Sequence, residues 1–228
     1  MNVKSLILSA ATSAVIALGV AGSAAAATLS VVGGKAAVLP ATYDPACGGC
    51  TNPAVGDAIQ VFSNDPAIGS SLLGKGLMVS GAGTMKYTFV GKEAGAQNAA
   101  LSLGGNSLSN TGAVGASFTV NQPAAGPVAF AFQTVEAAWE DINGNGLGGD
   151  TLSIVNGLGS KGKYLSVAFS AVFNGGKSVY AFFGDGRGDV DHDDMVIRID
   201  AVPLPASALL LLGGLGGLGA LRRKKKAA

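Results

Sequence analysis

Tyr164-Leu165-Ser166-Val167-Ala168-Phe169-Ser170-Ala171-Val172-Phe173, followed by Asn174-Gly175-Gly176 and then by Ser178-Val179-Tyr180-Ala181-Phe182-Phe183, decides the fold class. Leu165, Val167, Phe169, Ala171 and Phe173 fall on one side of an extended chain, and Ser166, Ala168 and Ser170 on the other. That period of two predicts a strand with one buried face. Asn174-Gly175-Gly176 supplies the residues a tight hairpin needs, because Asn and Gly tolerate the left-handed backbone of such turns.

Similar runs lie on either side, at residues 58–62, 85–90, 116–120, 128–133 and 195–199. Gly, Asn, Pro and Asp separate them. No long 3.6-residue pattern stands out, and there is no repeat of fixed period. Residues 91–115 are rich in Gly, Ala, Ser and Asn and read equally as weak strands or as a long surface loop. Many short strands without intervening helices predict a mainly β fold, a single β-sandwich or jelly-roll-like domain over residues 28–201.

The chain has 228 residues, of which 36 are glycine; 13% are charged and 48% are apolar. That apolar share suffices for a core and argues against wholesale disorder. The glycines keep no period of three, which excludes a collagen-like fibre. No basic face exists outside the last residues, so a nucleic-acid partner is not expected.

The two ends read as addresses. Residues 1–27 carry a single charge, Lys4, then an apolar run from Leu6 to Val20, then Gly22-Ser23-Ala24-Ala25-Ala26-Ala27. This is the order of a secretory signal peptide, a helix removed after export. Residues 202–226 form the second address. Val202-Pro203-Leu204-Pro205-Ala206 opens it, an uncharged stretch runs on to Leu221, and Arg222-Arg223-Lys224-Lys225-Lys226 closes it. The apolar stretch is just long enough for a short transmembrane helix, and the basic cluster would stay cytoplasmic as its anchor. Pro203 and Pro205 keep their segment out of helix and strand, so it is presented as an accessible peptide.

This tail resembles the VPLPA variant of the PEP-CTERM sorting signal found on exported bacterial proteins. The resemblance covers about 25 residues and rests on motif, apolar helix and basic end occurring in order. It implies a partner, an exosortase-type membrane protease that removes the tail and passes the protein onward. It also implies an association with extracellular polysaccharide or biofilm matrix. The chain would be exported through the inner membrane, held briefly at the membrane by its C-terminal helix, and left at the cell surface or outside.

Within the body, Gly184-Asp185-Gly186-Arg187-Gly188-Asp189-Val190-Asp191-His192-Asp193-Asp194 is the most informative segment. Five carboxylates (Asp185, Asp189, Asp191, Asp193, Asp194) stand against one Arg. Crowded carboxylates repel, so a folded loop of this kind gains from a bound cation. Asp189, Asp191 and Asp193 alternate as the first ligands of many calcium loops do, and calcium takes six to eight hard oxygens. An EF-hand is not expected: Asp194 stands where its turn glycine belongs, and residues 195–199 read as a strand that carries Asp200 away. The stretch Gly188-Asp189-Val190-Asp191-His192-Asp193-Asp194-Met195-Val196-Ile197-Arg198-Ile199 also resembles segments that precede the sorting signal in other PEP-CTERM proteins. A second candidate calcium loop contains Asp141, Asn143, Asn145 and Asp150, with Leu152 where the bidentate acid would stand.

Cys47-Gly48-Gly49-Cys50 is a lone C-x-x-C, and in an exported chain it predicts a small-ring disulfide. Zinc would need a second pair of thiolates, and haem attachment a His where Thr51 stands. The G-x-G-x-x-G matches at 144–149, 157–162 and 214–219 carry no weight, because residue 164 opens a strand rather than the helix of a dinucleotide site. Catalysis has little to stand on: His192 is the sole histidine and no G-x-S-x-G occurs in the body. Aromatic residues for sugar stacking are few, namely Trp139, Tyr43, Tyr87 and Tyr180.

The expected function is therefore a non-enzymatic surface or extracellular-matrix protein, processed by an exosortase-type system and stabilised by Ca2+. The alternatives are a carbohydrate-binding module or adhesin, and a secreted hydrolase using a carboxylate pair. The formal charge of +1 averages two opposites. Residues 28–202 hold nine basic and fourteen acidic side chains, a net −5, and the excess base sits in the two address segments.

Overall fold

The computed structural model describes residues 27–45, 53–93, 97–134, 151–161, 164–185 and 191–202, and every regular element among them is a strand. In chain order these are β1 (Leu29–Val32), β2 (Lys35–Val38), β3 (Ala58–Ser63), β4 (Gly76–Val79) and β5 (Gly83–Gly91). Next come β6 (Asn98–Ser102), β7 (Ser107–Ser109), β8 (Ser117–Gln122), β9 (Gly126–Pro127) and β10 (Phe130–Thr134). The last are β11 (Leu152–Val155), β12 (Gly159–Lys161), β13 (Ser166–Ser170), β14 (Ser178–Gly184) and β15 (Met195–Val202). The protein is thus mainly β, as its alternating runs predict. Residues 1–27 and 202–226, where a signal helix and a membrane helix are expected, lie outside the described residues apart from Ala27 and Val202.

The strands form three antiparallel sheets. The largest has the order β2-β3-β13-β14-β15-β5-β8, the second β12-β11-β10-β6-β7 and the third β1-β4-β9. One core joins all three. Phe169 of β13, Phe183 of β14 and Tyr87 of β5 meet Phe130 and Phe132 of β10, and Leu29, Leu77 and Val79 of the small sheet complete the cluster. Rings carry much of the contact. Phe132 and Phe183 stack with centroids 5.0 Å apart and planes 7° from parallel, while Phe130 meets Phe169 edge-on at 6.1 Å. Such pairs contribute about 1 kcal/mol beyond their buried area.

The hairpin that decides the fold class is present, with one correction. A single buried face is expected for β13, but both faces are covered. Val167 and Phe169 enter the main core. Ala168 enters a second cluster with Ile59, Val61, Phe182 and Val196, roofed by Leu39 and Tyr43 from the segment after β2. Small side chains on that side leave room for the roof, and a serine-rich face is therefore no sign of solvent here. The strand is also shorter than its alternation suggests. The Ser170 hydroxyl accepts the Tyr180 N–H at 3.0 Å and donates to the Ala171 carbonyl, so a side chain takes over where the ladder would continue. In the hairpin itself Asn174, Gly175 and Gly176 all have positive φ, as the turn requires.

The segment left open by sequence, residues 91–115, contributes β6 and β7. Alternation is hidden there because the inward positions are small: Asn98, Ala100 and Ser102.

Asn156, buried just beyond β11, ties the small sheet to the second. Its Nδ2 donates to the carbonyls of Leu77 (2.7 Å) and Val128 (2.8 Å), and its Oδ1 accepts the Leu77 N–H (2.8 Å). Gly76 permits this approach, because a Cβ there would collide with Asn156 Oδ1. Asn156→Leu removes three buried hydrogen bonds at about 1 kcal/mol each, although the Leu77 carbonyl keeps the Val128 N–H. The expected loss is about 3 kcal/mol in urea unfolding, and a loss below about 1 kcal/mol would show that the tie is dispensable.

Candidate functional site

The acidic segment forms the connection from β14 to β15. Its described residues are more deeply buried than a solvated turn would be: Asp193 is 0%, Asp194 2% and His192 3% exposed. A carboxylate in such a place needs hydrogen-bond donors. Asp193 Oδ2 accepts the Asp44 N–H at 2.5 Å, and Asp194 Oδ2 accepts the Asp185 N–H at 2.7 Å. The first bond pins the end of the Leu39–Tyr43 roof to the turn. The second closes the turn on itself, holding its first and last acids together.

A third chain segment reaches the same place. In the pairing of β5 with β15, Val196 faces Gly91 and Ile197 faces Phe89, so Val90 is an extra residue, a β-bulge. Beyond it the chain passes under the turn, and the Glu93 N–H donates to the Asp193 carbonyl at 2.7 Å. The Glu93 carboxylate thereby joins those of Asp191 and Asp193, each offering one oxygen within 4.8 Å of the others.

The spacing suits one hard cation. Calcium binds oxygen at about 2.4 Å, so two oxygens on opposite sides of it are about 4.8 Å apart. Without a cation, two carboxylates 4 to 5 Å apart repel by about 1 kcal/mol in water and by several times that at the lower dielectric of a protein surface. Carboxylate oxygens are hard donors, so the set fits calcium rather than a soft transition metal.

The expected site residues separate into groups. Asp191 and Asp193 come together, and Glu93, which lies about a hundred residues away and carries no motif, joins them. Asp185 and Asp194 pair with each other through the backbone bond, and Asp185 Oδ2 also accepts Asn98 Nδ2 from the second sheet at 2.7 Å. Asp189 lies outside the described residues, as do the second candidate loop with Asp141, Asn143, Asn145 and Asp150, both cysteines Cys47 and Cys50, and Trp139. Of the tail, Val202 is the last residue of β15 and pairs with Thr84 of β5; Pro203 onward is outside. Asp200 is on β15, where it holds the Ser178 hydroxyl and Arg198.

His192 reaches Ser166 of β13. It sits at φ 63° and its Nδ1 lies 3.1 Å from Ser166 Oγ. The two atoms resemble the Ser–His unit of a hydrolase, but Ser166 is fully buried and His192 nearly so, and a nucleophile must meet its substrate. Sugar stacking also finds little support among the tyrosines. Tyr43 and Tyr87 are buried. Half-buried Tyr180 lines an open cleft of about 420 Å³ with Asp57, Ser170 and Phe173. Its ring is stacked on Phe173 at 5.1 Å, and the Arg198 guanidinium stands 5.5 Å from the Phe173 ring, so the aromatic faces serve the protein itself.

Tyr43 links the roof to the site electrostatically. Burial, and then the charge of Asp193, push its phenol well above the ordinary tyrosine range; burial alone does the same for Tyr87. The folded phenols keep protons that the unfolded chain loses above about pH 10, so their contribution to stability is full below that pH and declines as pH rises through it. The Tyr43 hydroxyl has no hydrogen-bond partner among the described residues. Tyr43→Phe is therefore expected to cost nothing at pH 8 and to gain up to about 1 kcal/mol, while flattening the alkaline decline. Urea unfolding from pH 8 to 11 checks both, and a loss above 1 kcal/mol at pH 8 would reveal a role for the hydroxyl. No protein family, curated protein or solved structure matches the chain.

Proposed function

We propose that this is an exported surface or extracellular-matrix protein, non-enzymatic, with a sandwich or jelly-roll arrangement of its sheets. In this reading an exosortase-type membrane protease processes the tail, and calcium stabilises the folded domain. The observation that carries the reading is the order of Val202-Pro203-Leu204-Pro205-Ala206, an uncharged apolar stretch and Arg222-Arg223-Lys224-Lys225-Lys226. The last strand ends at Val202, so the peptide to be read begins where the sheet stops. Support for calcium comes from the three carboxylates of Glu93, Asp191 and Asp193 at calcium-ligand separation. An ion there would tie the β14–β15 turn to the end of β5 and, through Asp193 and Asp44, to the roof over the large sheet.

Two measurements test this reading. Expressed in a host with an active exosortase, the wild type is expected as a shortened, exported species. Pro203→Ala/Pro205→Ala is expected to accumulate uncut at the membrane; equal processing of both would remove the sorting component. Millimolar calcium is expected to raise the melting temperature by at least 5 °C, and Glu93→Gln/Asp191→Asn to abolish most of that rise. Identical melting of the wild type in calcium and in chelator would sink the calcium component.

A further inference from the structure

We infer a second calcium position between the large sheet and the second sheet, held by Asp185, Asn98 and Thr134. The inference rests on the calcium reading above for the identity of the ion, but on different oxygens. Asn98 of β6 and Thr134 of β10 are directly opposed across their ladder. Both point inward, on the face that carries Ala100 and Phe132, and both are 1% exposed. Asn98 Oδ1 and Thr134 Oγ1 are buried oxygens with no hydrogen-bond partner among the described residues. Polar atoms so placed carry a desolvation penalty unless something fills the space beside them.

The large sheet supplies the charge. Phe183 of β14 stacks on Phe132, and two residues further along come Asp185, just past the end of β14, and Thr134 of β10. The apolar rung between the sheets is thus followed by a polar one. Asn98 Nδ2 donates to Asp185 Oδ2 at 2.7 Å, which holds the amide against the carboxylate and leaves its Oδ1 unpartnered. A carboxylate, an amide carbonyl and a hydroxyl are all hard oxygen donors of the kind calcium collects. Asp185 does not belong to the Glu93, Asp191 and Asp193 group, so the two positions are separate. An ion at this rung would clamp the second sheet to the end of β14, as the first clamps the turn to β5.

Calcium stoichiometry of the full chain in detergent, measured by titration calorimetry, tests this. The wild type is expected to bind two ions, Thr134→Val one, Thr134→Ser two and Glu93→Gln/Asp191→Asn one. In chelator Thr134→Val is expected to melt no lower than the wild type, because it removes a hydroxyl without a partner; in calcium it is expected to melt lower. Asn98→Asp, which adds a carboxylate at the same place, is expected to show a larger calcium-dependent rise than the wild type. One ion in the wild type, lost in Glu93→Gln/Asp191→Asn and kept in Thr134→Val, would overturn the second position and leave the first; a trapped water would then fill the gap. Should Thr134→Val not fold, an Asn98→Asp rise no larger than that of the wild type would overturn the inference equally. No ion in any form would overturn both.

Discussion

Asp193 is a carboxylate with no exposed surface, and several features of the domain follow from keeping it there. A buried carboxylate loses its hydration and must be repaid by fixed donors or by a cation. Asp44 provides a backbone donor, and it can do so only because Leu39 and Tyr43 hold the preceding segment flat on the large sheet. The Asp193 carbonyl holds Glu93, and it can do so only because the bulge at Val90 redirects the end of β5. One residue, through its carboxylate and its main-chain carbonyl, thereby holds two distant segments. The roof in turn makes part of the outer face of β3, β13, β14 and β15 a second interior, at Ile59, Val61, Ala168, Phe182 and Val196.

That second interior marks the boundary of what the sequence could reveal. The periods of β5 and β15 are plain, because large apolar residues alternate in them, and Gly91 and Pro203 close the two runs. The outer face of β13 is Ser166, Ala168 and Ser170, which by composition is a solvent face. It is buried because a non-periodic stretch, Leu39 to Tyr43, lies over it, and periodicity carries no information about a partner without a period. The same limit hid β6, whose inward side chains are small or polar and whose pairing with β10 is a long-range matter. Local pattern detects an element that buries large side chains and misses one that makes room for a neighbour.

The acidic site divides along the same line. Asp191 and Asp193 stand two apart in one turn, so alternation brings them together, and sequence suffices. Asp194 looks equivalent in sequence but spends an oxygen on the Asp185 N–H, closing the turn in which its neighbours can converge. Glu93 beside Lys92 looks like any surface charge pair. It becomes a candidate ligand only through the antiparallel pairing of β5 with β15 and the bulge within it, and no spacing rule spans that distance. Asn98 and Thr134 are further examples: each is an ordinary polar strand residue until pairing sets them opposite each other and sheet packing brings Asp185 onto Asn98.

Charge distribution connects this local chemistry to the proposed export of the domain. The β14–β15 turn and the end of β5 bring Glu93, Asp185, Asp191, Asp193 and Asp194 to one end of the large sheet, while Asp200 lies toward the other, and the surplus of five negative charges in residues 28–202 has no internal basic cluster to offset it. A domain built so is self-repelling at that end when cation-poor and drawn together when cation-rich. Sites of few protein ligands and moderate charge bind calcium in the sub-millimolar to millimolar range, which suits extracellular rather than cytosolic concentrations. In the proposed reading the chain would therefore reach its full stability only after crossing the membrane, where its turn, roof and second sheet can be drawn onto common ions. The acidic turn would then act as a folding condition tied to compartment, and the residues that disfavour compaction before export are the same ones that secure it afterwards.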